Sequence, residues 1–373
     1  MKATFTAPQK ELISLLSSMQ PICNKRTTLD VTESILFQIN ARELTLKATD
    51  LEISLQTTML IDSDAMESGT FLVSGKRIFE LVKEMEGDIS FVIDDTSVSI
   101  KAGAVDLSLN IKAADEFPPF PERIENLMEM ESPFFLGLLD KVAFLIPQNN
   151  ANPALNGMLF EITKDQMAFV ATDGHCLAQV ISKRYTSPDE RKWLLPKKAV
   201  MEIKKILEGS GASEKIFIGV CGNQLVFSGK NFNFFTRLIA DQFPHYKPVL
   251  DKEGFMPARI ARDSFLKTLK RASCLLAGQF VSTNFAFVAG SLNVSIHNKE
   301  VGKLEEHLAL EDFVGGAVES RFYSPYLLNG LQVFPAQQVD FFIKSSVKPI
   351  IFESHDQDCD LTYLVMPVST SQP

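Results

Sequence analysis

The sequence lacks the features that mark membrane, secreted and metal-binding proteins. No apolar run approaches the roughly 18 residues of a membrane helix, and the first segment, MKATFTAPQKELISLL, has no long apolar core of a secretory signal. The five cysteines are scattered and include no CxxC pair, which argues against a disulfide framework and against a zinc site. We therefore expect a cytoplasmic protein that does not contact a membrane.

Signatures of catalytic and nucleotide-binding sites are also missing. The chain has no Walker A loop, no GxGxxG after a strand, no HExxH and no GxSxG. Its five histidines include no pair at the spacing of metal ligands. We therefore expect no metal, no other cofactor and no catalytic activity.

A repeated pattern is present along the chain of 373 residues, which is long enough for roughly two to three domains. Leu155–Val180 contains three apolar runs separated by a polar turn and a small polar corner, an arrangement typical of antiparallel strands. The same layout occurs in Leu36–Leu55 and, more weakly, in Phe287–Leu308. The sequence predicts an α+β fold of three repeated helix-strands-helix-strands modules, with boundaries at residues 1–125, 126–252 and 253–373.

Two helices are predicted in each module. Apolar residues at helical spacing indicate helices over residues 8–23, 74–86, 132–146, 196–208, 261–276 and 324–334. Pro21 is expected to end the first helix and Ser74 to cap the second. Pro196 is expected at the start of the fourth.

The polar corner of the middle module offers two interpretations. Asp173 and His175 could form the acid–base pair of a β-rich enzyme, but no nucleophile accompanies them, and Asp50 in the first module has no matching histidine. Alternatively, the Thr-Asp pair of both modules forms a turn in which the Asp side chain accepts backbone N–H groups. The second interpretation is favoured.

Charge is distributed unevenly between the predicted helices and the rest of the chain. The formal net charge of −9 argues against a basic nucleic-acid binder, yet the six predicted helices carry 13 basic and 8 acidic residues. Basic helices on an acidic body suit contact with a phosphate backbone without base recognition. Alternatively, lysine and arginine are simply good helix formers on solvated faces, and the modules form a scaffold that does not bind DNA.

Five strings resemble the bacterial DNA polymerase III beta subunit family, the beta sliding clamps, and the resemblance spans the whole chain. They are LNGMLFEI (Leu155–Ile162), ATDGHCLA (Ala171–Ala178), LLPKKAVMEIKKIL (Leu194–Leu207), DQFPHY (Asp241–Tyr246) and YLVMP (Tyr363–Pro367). The resemblance implies the DNA clamp fold, in which two three-domain subunits join head to tail in a ring with helices lining the hole and sheets outside.

The function implied by the resemblance is that of a processivity factor without catalytic activity. Such a homodimer encircles double-stranded DNA and tethers the replicative DNA polymerase alpha subunit, the clamp loader delta subunit and other proteins that carry a clamp-binding motif. The implied peptide pocket consists of apolar residues with a few polar ones: Leu155, Thr172, Gly174, His175, Leu177, Pro244, Val249, Leu364, Met366, Pro367 and Val368.

The sequence departs from the family at the edge of this pocket. Cys176 stands where the family usually has arginine, and Pro248 where some members have a basic residue. Met366-Pro367-Val368 is followed by Ser369 rather than a basic residue, and the tail is longer, to Pro373. The resemblance therefore implies a pocket with a reduced basic rim.

The resemblance also implies DNA contacts and a subunit interface. The implied DNA-binding residues are Arg26, Lys76, Arg77, Gln148, Asn149, Lys197 and Lys198. The implied dimer interface joins Leu107 and Leu109 of one subunit to Cys274 and Leu275 of the other.

Overall fold

A computed structural model describes residues 3–23, 27–62, 68–121, 124–209, 215–278 and 282–368. These residues form strands and helices throughout, which confirms the predicted α+β class. The α-helices are α1 Gln9–Cys23, α2 Gly75–Lys83, α3 Ser132–Val142, α4 Lys197–Gly209, α5 Arg262–Ser273 and α6 Ser324–Leu331.

The strands are short and connected mainly by tight turns. They are β1 Ala3–Pro8, β2 Ser34–Asn40, β3 Glu43–Thr49, β4 Ile53–Leu60, β5 Gly69–Ser74, β6 Asp88–Ile93, β7 Ser97–Ala102, β8 Val105–Asn110, β9 Glu125–Glu131, β10 Gly157–Ile162, β11 Met167–Thr172, β12 Cys176–Ser182, β13 Arg191–Pro196, β14 Lys215–Cys221, β15 Gln224–Ser228, β16 Phe232–Arg237, β17 Met256–Ala261, β18 Thr283–Val288, β19 Ser291–Asn298, β20 Gly302–Ala309, β21 Val318–Phe322, β22 Gln338–Ile343, β23 Ile350–His355 and β24 Asp360–Val365.

The chain divides into two compact units, Met1–Phe135 with Met201–Leu238, and Leu136–Val200 with Ile239–Pro373. The first unit holds a four-stranded sheet, β1-β6-β7-β8, and an eight-stranded sheet, β5-β2-β3-β4-β16-β15-β14-β9. All of its pairings are antiparallel, and Phe5 of β1 stacks on its cross-strand partner Phe91 of β6 at a centroid distance of 4.5 Å. Because an aromatic pair in direct register buries a large apolar area, it fixes the pairing of these strands.

The second unit has the same kind of construction. Its eight-stranded sheet runs β13-β10-β11-β12-β24-β23-β22-β17, and its four-stranded sheet runs β20-β19-β18-β21. The middle module thus contributes strands to both eight-stranded sheets, through the β4–β16 pairing in one unit and the β12–β24 pairing in the other. The exact module boundaries proposed from the sequence stay a prediction.

The first helix shows how the apolar pattern produces the local structure. Leu12, Leu16 and Met19 of α1 are fully buried, as expected for residues that share one helical face. Pro21 does not end the helix, which continues for two more residues to Cys23. Proline removes only one backbone hydrogen bond in the last turn, and the burial of Ile22 and Cys23 keeps that turn packed.

Helix boundaries elsewhere shift by a few residues. Ser74 precedes α2, but its side chain makes no capping hydrogen bond. Pro196 is the last residue of β13 rather than the first of α4. Helix α5 ends at Ser273, and α6 ends at Leu331, so both are shorter than their apolar patterns indicate.

The strand that opens each module is not apparent from the sequence. Strands β1, β9 and β17 run directly into α1, α3 and α5, and each lies at the edge of its sheet. ATFTAP and MPARIA alternate over only six residues that include a proline, and ENLMEME carries charge without a regular alternation, as edge strands tolerate. None of the described helices combines the length and the apolarity that crossing a membrane would require.

Candidate functional site

The Thr172–Cys176 corner joins β11 to β12 and is built by side-chain-to-backbone hydrogen bonds. Asp173 Oδ1 accepts from the backbone N–H of His175 at 2.8 Å and of Cys176 at 2.7 Å. Thr172 Oγ1 accepts from Gly174 N–H at 3.1 Å. Gly174 has φ of +94°, a conformation that glycine adopts without steric cost. The predicted turn is therefore confirmed.

Equivalent corners occur in the other two modules. In the first, Asp50 Oδ1 accepts from the N–H groups of Glu52 at 3.0 Å and Ile53 at 2.9 Å. In the third, Asn298 Oδ1 accepts from Glu300 at 2.9 Å and from the following residue at 3.3 Å. An asparagine amide oxygen accepts the same backbone bonds as a carboxylate, which explains why the third copy of the pattern is weaker in sequence.

Asp173 and His175 do not have the arrangement of an acid–base pair. The Asp173 Oδ1 atom holds the corner, whereas the His175 imidazole stacks on Tyr326 at a centroid distance of 5.8 Å and an interplanar angle of 18°. The His175 carbonyl accepts a hydrogen bond from Met366 N–H at 2.9 Å. Among the described residues, no group of three or more His, Cys, Asp or Glu side chains could hold a metal ion.

An apolar cluster lies beside this corner. Its buried members are Ala154, Leu159, Val170, Leu177, Leu194, Tyr246, Ile351 and Leu364, with Ile239, Phe243, Leu250, Phe255 and Phe342 packed against them. Leu177 pairs directly with Leu364, and Leu364 with Ile351, so three neighbouring strands present one apolar row. Side chains in direct register stand on the same face of a sheet.

The predicted pocket residues divide into a buried floor and an exposed margin. Leu155, Leu177 and Leu364 are 8%, 4% and 3% exposed, whereas Val249, Met366 and Val368 are 46%, 38% and 41% exposed. Exposed apolar side chains next to a buried apolar row are typical of a binding surface. We call this surface, formed by the floor and margin residues and the Thr172–His175 corner, the groove.

Short segments bring the remaining pocket residues to the groove. Leu155 lies in a 3-10 helix, Pro153–Asn156, whose Ala154 belongs to the apolar cluster. Val249 lies in a second 3-10 helix, Lys247–Leu250, whose Leu250 packs on the same cluster. Pro244 is exposed between Phe243 and Tyr246, which both contact the cluster, and Pro367 follows Met366 directly.

Several residues of this region were missed from the sequence. Ile351 lies in β23, whose first four residues are all buried, so no alternation marks it. Tyr323 and Tyr326, at the start of α6, contact each other at 5.0 Å. Tyr323 has extended backbone and precedes the helix that contains Tyr326, so no helical spacing marks the two as neighbours.

Cys176 does not replace the basic residue of the family. Its side chain is 1% exposed, and burial raises the pKa of the thiol to about 12. It therefore lies inside the sheet as a neutral group, which supports the expectation of a reduced basic rim.

The predicted DNA-binding residues differ in their surroundings. Lys76 is exposed and lies 3.9 Å from Glu80, one turn along α2, and Arg77 lines a cavity with Asp30 and Glu33. The start of α4 is less accessible, because Lys197 and Lys198 are half-buried and the Nζ atom of Lys198 is buried. Arg26 lies outside the described residues.

Gln148 and Asn149 lie in the loop between a 3-10 helix, Ala143–Leu145, and the one that contains Leu155. The next residue, Asn150, is held by Asn156, whose Oδ1 accepts from its N–H at 2.6 Å. Asn150 Nδ2 also donates to the Asp173 carbonyl at 3.4 Å. The loop is therefore attached to the corner of the groove.

The predicted interface residues lie on two different surfaces. Leu107 and Leu109 are half-buried on β8, which is the edge strand of its sheet. Cys274 is exposed directly after α5, and Leu275 is half-buried. Asn298 Nδ2 donates to the Leu275 carbonyl at 3.0 Å and so orients this segment.

Comparisons with known proteins match this fold from end to end. Family models of the DNA polymerase III beta subunit match residues 3–121 as its N-terminal domain, 129–245 as its central domain and 247–369 as its C-terminal domain. The beta sliding clamp of Pseudomonas putida is 26% identical over 368 residues, which cover 98% of this chain and 99% of the relative.

Solved structures show the same similarity. The sliding clamp from Pseudomonas aeruginosa bound to griselimycin has a TM-score of 0.91 and 26% identity, covering 99% of this chain and 100% of that chain. The sliding clamp from Bacillus subtilis, at 20% identity, has the same fold with a TM-score of 0.92, covering 99% and 100% of the two chains. The chain belongs to the DNA polymerase III beta subunit family, the beta sliding clamps.

Proposed function

We propose that two copies of this chain join head to tail into a ring that encircles duplex DNA and acts as a non-catalytic processivity factor in DNA replication. The observation that carries the proposal is the match of all three family domains in order over residues 3–369. The protein would act in the cytoplasm on double-stranded DNA. A closed ring holds DNA by topology, so tight affinity for DNA is not required.

The groove would tether the replicative polymerase alpha subunit, the clamp loader delta subunit and other proteins with a clamp-binding motif. Its buried row of Leu177, Leu364 and Ile351 offers an apolar floor, and the exposed Val249, Met366 and Val368 offer contact area to a partner. A short peptide with apolar anchor residues suits such a surface. The Pseudomonas aeruginosa relative that was solved with griselimycin shows that a clamp of this family can hold a ligand.

Contact with DNA would be made by phosphate-directed side chains. The exposed Lys76, together with Arg77, Gln148, Asn149 and the more buried Lys197 and Lys198, forms the proposed set, and Arg26 completes it. Phosphate contacts of this type carry no sequence information, as a sliding protein requires. Because the ammonium group of Lys198 is buried, we expect Lys76 and Arg77 to contribute more than Lys198.

Ring closure would use the edge strand β8. Leu107 and Leu109 alternate with exposed residues along this edge, and Cys274 and Leu275 of the second subunit would cover them. Contacts between two different surfaces close into a ring when the rotation between subunits permits it.

Retention on DNA tests the proposal directly. The protein is loaded onto nicked circular DNA with a matched clamp loader and separated by gel filtration, and the DNA is then linearised. We expect co-elution with circles and release from linear molecules. Retention on linear DNA would show binding by affinity, and failure to co-elute with circles would show that the subunits do not encircle DNA.

A further inference from the structure

Aromatic side chains that do not belong to the apolar cluster lie at the end of the groove next to the Thr172–Cys176 corner. Tyr326 stacks on the His175 imidazole at 5.8 Å, and Tyr323 meets Tyr326 at 5.0 Å with an interplanar angle of 80°. Tyr323 is 39% exposed. Two nearly perpendicular tyrosine rings thus lie beside an exposed imidazole.

One carboxylate lies next to these rings. Asp173 accepts a hydrogen bond from the N–H of His175 at 2.8 Å, and His175 stacks on Tyr326. Burial raises the pKa of Tyr326, and the negative charge of Asp173 raises it further. Asp173 is half-buried, where charge interactions are stronger than in bulk water.

Two residues close to this end of the groove, Cys176 and Arg321, do not bring positive charge to it. Cys176 is buried and neutral. The backbone carbonyl of Arg321 accepts a hydrogen bond from Val368 N–H at 2.8 Å, but its side chain lines a different cavity, with Asn284 and His297. This end of the groove therefore combines aromatic faces with negative charge.

We propose that this end, formed by Asp173, His175, Tyr323 and Tyr326 and here called the aromatic corner, binds a basic side chain of a partner peptide. The inference rests on the proposed function, because the apolar residues of the same peptide would occupy the rest of the groove. A lysine or arginine is attracted by the face of an aromatic ring and by the carboxylate. An acidic side chain would be repelled by Asp173, and an apolar one would gain nothing from its negative charge.

Peptide titrations test the inference. A parent polymerase-tail peptide with apolar anchors is compared with series in which lysine, leucine or glutamate replaces each residue flanking the anchors in turn, and Kd is measured by calorimetry. At one flanking position we expect lysine to bind roughly threefold to tenfold more tightly than leucine, and glutamate more weakly. The advantage of lysine should shrink as the salt concentration rises.

Matched variants assign the effect to the aromatic corner. Asp173→Asn keeps an oxygen for the N–H groups of His175 and Cys176, as Asn298 does at its own turn, but removes the charge. It should bring the lysine-to-leucine ratio close to one. Tyr323→Leu should lower the ratio, whereas Tyr323→Phe should keep it. Asp50→Asn, which changes the equivalent corner of the first module, should leave the ratio unchanged.

The outcomes separate the inference from the proposed function. If the parent peptide binds but lysine gives no advantage at any flanking position, the aromatic corner does not bind cations and the inference is wrong. The same conclusion follows if Asp173→Asn retains the full advantage. If no peptide binds at all, the proposed peptide groove itself is refuted, and the inference with it.

Discussion

The exposed margin of the groove can be tested at Met366 without disturbing the fold. Full burial of a methionine side chain is worth about 1.5–3 kcal/mol. Met366 is 38% exposed, so a peptide that covers it can gain about 0.6–1.1 kcal/mol from that fraction. Met366→Ala should therefore raise the Kd of a polymerase-tail peptide by about threefold to sixfold. The hydrogen bond from Met366 N–H to the His175 carbonyl is a backbone bond and survives the substitution.

Leu177 is a poorer choice for the same test. It is 4% exposed and packed in the apolar cluster, and a buried Leu→Ala substitution costs about 2–5 kcal/mol of folding stability. A loss of binding in Leu177→Ala would therefore combine an effect on the fold with an effect on the groove. Met366→Ala should show little change in thermal melting and in elution volume on gel filtration.

Calorimetry with one polymerase-tail peptide tests whether Met366 contributes to peptide binding, provided that a matched control variant is included. Leu60→Ala removes an apolar side chain that is 77% exposed on β4, in the other compact unit. It should leave the Kd unchanged. An unchanged Kd for Met366→Ala, or an equal loss in Leu60→Ala, would refute the assignment of the groove.

Three further predictions concern the corner, one thiol and one ion pair. Gly174→Ala places a Cβ on a residue with φ of +94°, a conformation that is strained for an L side chain, and should lower the free energy of unfolding by about 1–2 kcal/mol in a denaturant titration. An unchanged free energy of unfolding would show that the substitution causes no such strain. Cys176 is buried and its pKa is raised by burial to about 12, so it should react with a thiol reagent at pH 8 only on unfolding, and reaction in the native protein would contradict its burial. Hydrogen bonds from Arg271 lower the pKa of Glu306, so this pair stabilises the fold above the unfolded pKa of glutamate and the benefit is lost as the pH falls through the lower folded value. Glu306→Gln should therefore flatten the acid limb of a stability-against-pH curve, and an unchanged limb would count against the pair.

Much of this fold could be predicted because its elements follow simple periodicities. Alternation marks β6 and β7, whose inward residues are buried and whose outward residues are not. The 3.6-residue period marks α1. The opening strands were not found in this way, because the alternation of β1 and β17 spans only six residues that include a proline, and the edge strand β9 carries charge in place of a regular apolar pattern.

The groove was predictable only in part. Small turn-forming residues in the sequence indicate its polar corner. The apolar residues of the groove were predicted only from the resemblance to the family. Ile351 and Tyr326 could not be placed, because their contribution depends on strand pairing and on the packing of α6 beside the corner. The His175–Tyr326 contact and the pairing of β12 with β24 join segments more than 100 residues apart in the chain, and no local pattern encodes them.

The repeat shows how two equivalent corners differ in their side chains. In the first unit, β4 follows the Asp50 corner and pairs with β16, and Arg237 N–H donates to the Glu52 carbonyl at 2.9 Å. In the second unit, the equivalent bond runs from Met366 N–H to the His175 carbonyl, also at 2.9 Å. The backbone junction is the same, but a charged pair of residues stands where the second unit has His175 and Met366.

We therefore expect the side chains, rather than the backbone, to decide which junction can bind a peptide. Glu52 and Arg237 are exposed charged residues, which keep their water and offer no apolar anchor site. Met366 is followed by Pro367 and Val368, which extend the apolar margin. On this argument Met366→Arg should abolish peptide binding by making the second junction resemble the first, while the sheet remains intact. Retained binding in that variant, measured by the same calorimetry, would show that the apolar margin does not define the site.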